Sequence, residues 1–277
     1  MIKTLAYFPL QSALNAREPL NAVLSAARTA GIETQELSFD SDAAVIWSVL
    51  WSGRMTANRA VYQHYRAQNK PVIVVEIGAL DRGRTWKVSV NHTTAEGYYG
   101  HLENLNWDRP QHLGIKLQTS NEQDPRVVIA LQHSQSLQVA ELDMLSWVYE
   151  CVNQIKQHTD RPIVVRPHPR SKISLPATLT VDQPYHVSGT YDSFNLPLDC
   201  HAIVNYNSGP GIQAAIAGLR PIVDSSSLAH PVSIDFSAIE QPYTVDRDLW
   251  LTQICHTEYT VDELKQGAWI ARIFNDS

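Results

Sequence analysis

The chain has 277 residues, 44% of them apolar, and a formal net charge of -6. That is enough apolar material for one large domain or two of about 100 to 150 residues, and two are expected. The acidic balance excludes a global basic field, so any nucleic-acid contact must rest on a local basic patch. The three cysteines, Cys151, Cys200 and Cys255, are odd in number and far apart, which argues against a disulfide framework or a zinc site and fits a reducing cytoplasm. The apolar run near the N-terminus is too short for a signal peptide, and no stretch reaches the roughly 18 residues of a membrane span. The expected location is therefore the cytoplasm, that of the host if the protein is viral.

In chain order, residues 2–8 read as a first strand, 17–30 as a helix ended by Gly31, and 33–37 as a second strand. Residues 43–50 form a nearly unbroken apolar strand, 56–69 a polar helix, and 71–77 a Val/Ile-rich strand of the type buried on both faces in parallel sheets. The polar stretch QTSNEQDP at 118–125 is the best linker candidate. This divides the chain into an N-terminal Rossmann-like domain at 1–120, a C-terminal one at 121–255 and a C-terminal helix at 256–277. The second domain repeats the alternation: strand 127–131, helix 141–158, strand 162–165, strand 202–204, helix 212–218 and strand 221–223. Two helical pieces follow, at 246–255 and 261–274. The fold class is thus α/β, and two consecutive α/β halves imply a cleft between them.

Two segments carry the chemistry. The run from His201 to Ala229 reads as strand, glycine-rich turn, helix and strand, with Asn207-Ser208-Gly209-Pro210-Gly211 at the turn. A βα turn of this kind presents unpaired N–H groups and a positive dipole end, so an anion is its natural occupant. In PIVVRPHPR at 162–170, an apolar strand runs directly into Arg166, His168 and Arg170. Cationic side chains at the carboxyl end of a parallel strand lie where open α/β sheets bind ligands, and guanidinium suits phosphate. Together the segments point to a nucleotide or nucleotide-sugar site.

RPHPR at 166–170 and NSGPGIQAAIAGLRPIV at 207–223 resemble the corresponding elements of GT-B glycosyltransferases, in particular capsule-polysaccharide transferases and bacteriophage enzymes that glycosylate modified DNA bases. The resemblance implies a GT-B-like fold, two Rossmann-like domains facing across a cleft, with the nucleotide-sugar held by the C-terminal half. It implies that Arg166, His168 and Arg170 face the donor diphosphate and that Ser208, Gly209 and Gly211 supply hydroxyl and backbone donors. Many such enzymes carry a glutamate on the following helix for the ribose or sugar hydroxyls; this chain has Gln213 there, which can hydrogen-bond but carries no charge.

The N-terminal domain is then expected to bind the acceptor and, for an inverting transfer, to supply a general base. Glu76 is the first candidate, because it interrupts the apolar VIVVEIG where a carboxylate is costly unless paired or functional. The competing reading is an ion pair with Arg82, Arg84 or Lys87. Asp81 is the second candidate base, in the loop ALDRGRTWK, where Arg82, Arg84, Lys87 and Trp86 make a basic and aromatic patch able to grip an acidic acceptor such as DNA. Arg54 and Arg59 follow the strand ending at Trp51 and are candidate phosphate contacts. His133, after the first strand of the second domain, is a candidate donor contact or acid. Asp40-Ser41-Asp42 spells a DxD motif but precedes a strand, so it reads as a turn and not as a metal site.

The expected activity is transfer of a sugar from a nucleotide-sugar co-substrate to an acceptor hydroxyl, with a hydroxymethylated pyrimidine in phage DNA as the favoured acceptor. No cofactor and no obligatory metal are expected, since arginines and a helix N-terminus can stabilise the departing phosphate. Two alternatives stay open: a sugar-nucleotide epimerase of the same fold, and a catalytically silent GT-B module.

Overall fold

A computed structural model of the chain describes residues 2–101, 105–171, 173–182, 196 and 198–274. The elements in order are β1 (Thr4–Tyr7), α1 (Arg17–Thr29), β2 (Glu33–Glu36), β3 (Ala43–Trp47), α2 (Asn58–Ala67), β4 (Val72–Ile77), β5 (Trp86–Val90) and α3 (Arg109–Leu113). Then come β6 (Val127–Ala130), α4 (Met144–His158), β7 (Ile163–Arg166), β8 (Ala202–Asn205), α5 (Gly209–Ala217) and β9 (Arg220–Val223). The chain closes with α6 (Asp248–Cys255), β10 (Glu258–Tyr259), α7 (Val261–Gln266) and α8 (Ala268–Phe274).

The chain divides into two compact units. Unit 1 comprises residues 1–109, 135–138 and 253–277, and unit 2 comprises 110–134 and 139–252. The unit-1 sheet has the order β10-β5-β4-β3-β1-β2: β2, β1, β3 and β4 run parallel, and β5 and β10 add antiparallel strands at one edge. Ala6, Phe8, Ala44, Ile46, Val72 and Val74 point to one face and form a core with Val61 and Tyr65 of α2. This is the period-2 pattern of strands meeting the 3.6 period of a helix. The tail returns to this unit, where α7 packs on α1.

Unit 2 has the order β7-β6-β8-β9, all parallel. Val127 and Ile129 face α4 residues such as Val148 and Ile155, while Val128 and Ala130 face Ala214 and Ala217 of α5. A sheet covered on both sides needs apolar residues at every position, which explains the uninterrupted VVIA and AIV runs.

Several details differ from the sequence reading. Residues 118–125 are not a free linker but a strap tied to unit 2: Gln118 N–H donates to Ile216 O (2.8 Å), and the N–H groups of Gln123 and Asp124 donate to Asp199 O (2.8 and 3.0 Å). Polar composition identified an irregular segment; its backbone bonds to unit 2 hold it in place. The helix expected at 261–274 is two helices, because Gly267 adopts φ +81° and ends α7 in a left-handed C-cap. Trp86 and Lys87, read as the end of a loop, open strand β5. Among the described residues no helix is long and apolar enough to cross a membrane.

Candidate functional site

In both units the first parallel strand lies between the second and the third, so successive connections leave in opposite directions at its carboxyl end. Such a switch point opens a crevice at the strand ends, between β1 and β3 in unit 1 and between β6 and β8 in unit 2.

At the unit-2 switch point the sequence after β8 is organised by amides. Buried Asn205 donates from Nδ2 to Ala130 O (2.8 Å) and to Ser208 Oγ (3.1 Å), and its Oδ1 accepts from Ser208 N–H (2.8 Å). Gln132 on the extension of β6 donates from Nε2 to Asn207 Oδ1 (3.0 Å), and Asn207 Nδ2 donates to Ser226 Oγ (2.9 Å). Ser226 Oγ in turn donates to Asp224 Oδ1 (2.5 Å). Ser208 is the extended N-cap of α5 and makes no side-chain cap bond, and Pro210 carries no N–H. The expected donors are therefore unequal. The Ser208 N–H is spent on Asn205, the Gly211 N–H makes a long bond to Ser208 O (3.3 Å), and the Gly209 N–H has no partner among the described residues. Gly211 is required by packing: a Cβ there would lie 2.7 Å from Val223 Cγ1. Gln213 sits partly exposed in the second turn of α5.

Arg166 is the last residue of β7 and pairs with Asp182. Asp182 lies 16 positions on, beyond the reach of local pattern reading. His168 stacks edge-on against His133, ring centroids 5.1 Å apart, and accepts at Nδ1 from the Arg170 N–H (3.2 Å). Burial, followed by the positive charge of Arg170, pushes His133 below the usual imidazole range. It is therefore a neutral hydrogen-bonding ring at pH 7. Arg166, His133, His168 and Arg170 thus share the β6–β7 end of the sheet. On the α4 side, Trp147 and Tyr206 meet edge-on and border a cavity of about 460 Å³, which also takes in Asn205 and Asp224.

In unit 1, Glu76 lies near the end of β4, directly across from Lys87 on β5. Its Oε1 accepts from Ser48 Oγ (2.9 Å). Burial pushes its carboxyl above the ordinary value, against the opposing pull of Lys87, Ser48, Thr93 and Arg82. Lys87 is the charge that most opposes this shift, while its Nζ is directed to Thr93 O (3.5 Å). The surface patch loses two members to the interior: Trp86 and Lys87 are 9% and 8% exposed. WKVSV has the aromatic and β-branched content of a strand, and its lysine is tolerated inside because Glu76 faces it. Asp81 stays in the surface turn, paired with Arg84 (3.1 Å), and Arg82 lies beside it. The turn is clamped by a residue that the sequence reading missed. Fully buried Glu258 accepts from Ala79 N–H (2.7 Å), Leu80 N–H (3.2 Å) and Thr85 Oγ (2.7 Å). Gly78 permits this approach, since a Cβ would lie 2.2 Å from Glu258 Oε2.

At the unit-1 switch point a cavity of about 560 Å³ opens between the ends of β1 and β3, with Tyr7, Phe8 and Trp47 on its wall and Arg17 and Arg54 at its edge. Asn58 shapes it by donating from Nδ2 to Gln11 O (2.9 Å) and Trp47 O (2.8 Å). The Asp40-Ser41-Asp42 turn behaves structurally, Asp42 accepting from the N–H groups of Lys3 and Thr4 at 2.8 and 3.0 Å. Among the described residues no three His, Cys, Asp or Glu side chains gather to hold a metal ion. Burial pushes all three thiols up to about 12, so they are chemically quiet.

No known family and no curated protein matches the chain. Among solved structures it is similar to KpsC of Thermosulfurimonas dismutans, a beta Kdo 2,4 transferase, at 14% identity and a TM-score of 0.52, over 96% of this chain and 98% of that one. The fold is GT-B-like. A beta Kdo 2,7 transferase of the same organism reaches 12% identity and a TM-score of 0.48 over 99% and 100% of the two chains. The UDP-GlcNAc 2-epimerase of Methanocaldococcus jannaschii, in complex with UDP-GlcNAc and UDP, reaches 12% and 0.33 over 99% and 100%. These last two add nothing to the fold assignment.

Proposed function

We propose that this GT-B-like protein is a glycosyltransferase using a nucleotide-sugar as co-substrate and no cofactor. The observation that supports this most is the start of α5 at the unit-2 switch point, where the helix dipole, the Gly209 N–H and Ser208 Oγ converge beside a rigid amide lattice. A nine-residue helix without a side-chain cap offers its positive end to an anion, and the neighbouring His133, His168 and Arg170 add donors and charge. In this reading unit 2 holds the donor phosphate. As the acceptor oxygen attacks the anomeric carbon, the carbon–oxygen bond to phosphate breaks. The charge growing on the leaving phosphate is met by fixed dipoles in place of a metal ion.

Glu76 takes the role of general base for an inverting transfer. A carboxyl with its affinity for protons raised by burial is well matched to that task near neutral pH. Ser48, which donates to Glu76, fixes the carboxylate's orientation.

The resemblance to phage enzymes names a hydroxymethylated pyrimidine in DNA as acceptor. The basic–aromatic patch that was to hold DNA lost Trp86 and Lys87 to the interior, which leaves Arg82 and Arg84 of the patch, with Arg54 and Arg59, as the cationic candidates. DNA carrying 5-hydroxymethylcytosine is accordingly one arm of the assay and not its premise.

The test measures melting temperature with UDP-, GDP-, CMP- and dTDP-sugars for the native protein and for Ser208→Ala and Arg170→Ala, followed by product analysis with and without acceptor. One donor raising the melting temperature, less so in both variants, supports the reading. No shift with any donor sinks it, and conversion of the donor without acceptor replaces it with epimerisation.

A further inference from the structure

The arginines of this protein are mostly committed: Arg109 to Glu263, Arg161 to Glu240, Arg220 to Glu122 and Arg126 to Asp124. Arg17, the first residue of α1, and Arg54, in the short turn at Gly53–Met55, are exceptions. Neither side chain has an ion pair or hydrogen bond among the described residues, and both border the cavity at the unit-1 switch point. Its volume of about 560 Å³ falls within the roughly 300–1,000 Å³ of small-molecule sites.

The wall chemistry is of a second kind. Phe8 and Trp47 present buried aromatic surface, and Tyr7 is anchored by its hydroxyl donating to Glu36 (3.0 Å). Leu10 and Leu14 stand at the rim, 84% and 72% exposed, where leucines have no folding reason to be. Asn21 adds an amide with no partner among the described residues. The cavity is preformed, because buried Asn58 ties Gln11 to the end of β3 by hydrogen bonds to Gln11 O and Trp47 O.

We infer that this cavity binds an anionic small molecule, a carboxylate or phosphate attached to a ring, with the ring on the Phe8–Trp47 wall and the charge between Arg17 and Arg54. Guanidinium groups recognise both anions in bidentate fashion, and aromatic walls accept the apolar face of a sugar or base ring. To call this molecule the acceptor rests on the transferase reading above; the binding itself does not.

Ligand-observed NMR with glucuronic acid, glucose 6-phosphate and glucose tests the inference on the full chain. At least one acid is expected to bind where glucose does not, and which one binds separates a carboxylate ligand from a phosphate. Arg17→Gln and Arg54→Gln are each expected to weaken that binding about 10- to 100-fold, the loss of a charged hydrogen-bond pair. Exposed Lys265→Gln is expected to leave it unchanged. Equal binding of glucose, equal binding by the double arginine variant, or no binding of either acid overturns the inference. Donor-induced melting shifts of the native protein, measured beside acid binding, keep the two readings apart. A lost donor response with arginine-dependent acid binding ends the transferase reading and leaves this site standing, and the reverse pattern ends only this one.

Discussion

Unit 1 and unit 2 both set their first strand between the second and third, and then leave the third strand in different ways. After β8 the chain turns within three residues into α5, so the dipole end of a helix and an amide lattice of Gln132, Asn205 and Asn207 occupy the crevice. After β3 the chain takes Ser48 at φ +60°, a short turn at Gly53–Met55, and enters α2 only at Asn58. The unit-1 crevice is therefore an open aromatic cavity edged by guanidiniums, with no helix starting directly after its third strand. Strand order places a crevice in each unit, and the residues just beyond the third strand decide whether it suits an anion held by backbone dipoles or a ring held by side chains.

The largest effect that would sharpen this division comes from Glu76→Gln. Turnover is expected to fall about 10²- to 10⁴-fold while the donor-induced melting shift in unit 2 is kept, a pairing read by steady-state kinetics beside thermal melts. Loss of the donor shift as well would break the division of labour. Next in size is Gly211→Ala, whose methyl group meets Val223 and is expected to cost about 1–3 kcal/mol in denaturant unfolding. If the variant folds normally and fails only in donor binding, the glycine serves ligand approach after all.

Asn58→Ala leaves the carbonyls of Gln11 and Trp47 without their donor and is expected to destabilise by about 1–3 kcal/mol. It should also lower affinity for the anionic probe and leave the donor response alone. Ser208→Ala removes one hydroxyl from the α5 crevice and is expected to weaken donor binding about fivefold, which a donor titration would detect.

The smallest effect is in acid. Hydrogen bonds from Arg161 and Thr159 hold the Glu240 carboxyl to about 2, against an ordinary 4.5. A folded-state value below the unfolded one gives stability that is present above about pH 4.5 and is lost as pH falls toward about 2. Melting temperature in that window should therefore decline less steeply in Glu240→Gln than in the native protein. The side chain is 43% exposed, so screening keeps the difference small.

The alternation of buried strands and amphipathic helices was legible because a parallel sheet covered on both faces demands continuous runs such as VVIA and VIVV. The turn at 207–211 was legible because glycine and proline there permit few backbones. Residues that act through distant partners were not. That Asp182 pairs with Arg166, and that Lys87 stands across from Glu76 where Arg82 and Arg84 were equal candidates, became visible only once the strands were placed. Glu258 gave no signal, since its ligands are backbone N–H groups of Ala79 and Leu80, which every sequence has.

The α/β class, the parallel strands and the glycine–proline turn at 207–211 are written in local sequence, because each follows from side-chain period or backbone permission within a few neighbouring residues. Which charges are spent and which are free is a property of the folded chain alone. Pairing depends on where residues far apart in the chain come to lie, and a buried carboxylate or guanidinium takes its chemistry from that neighbour.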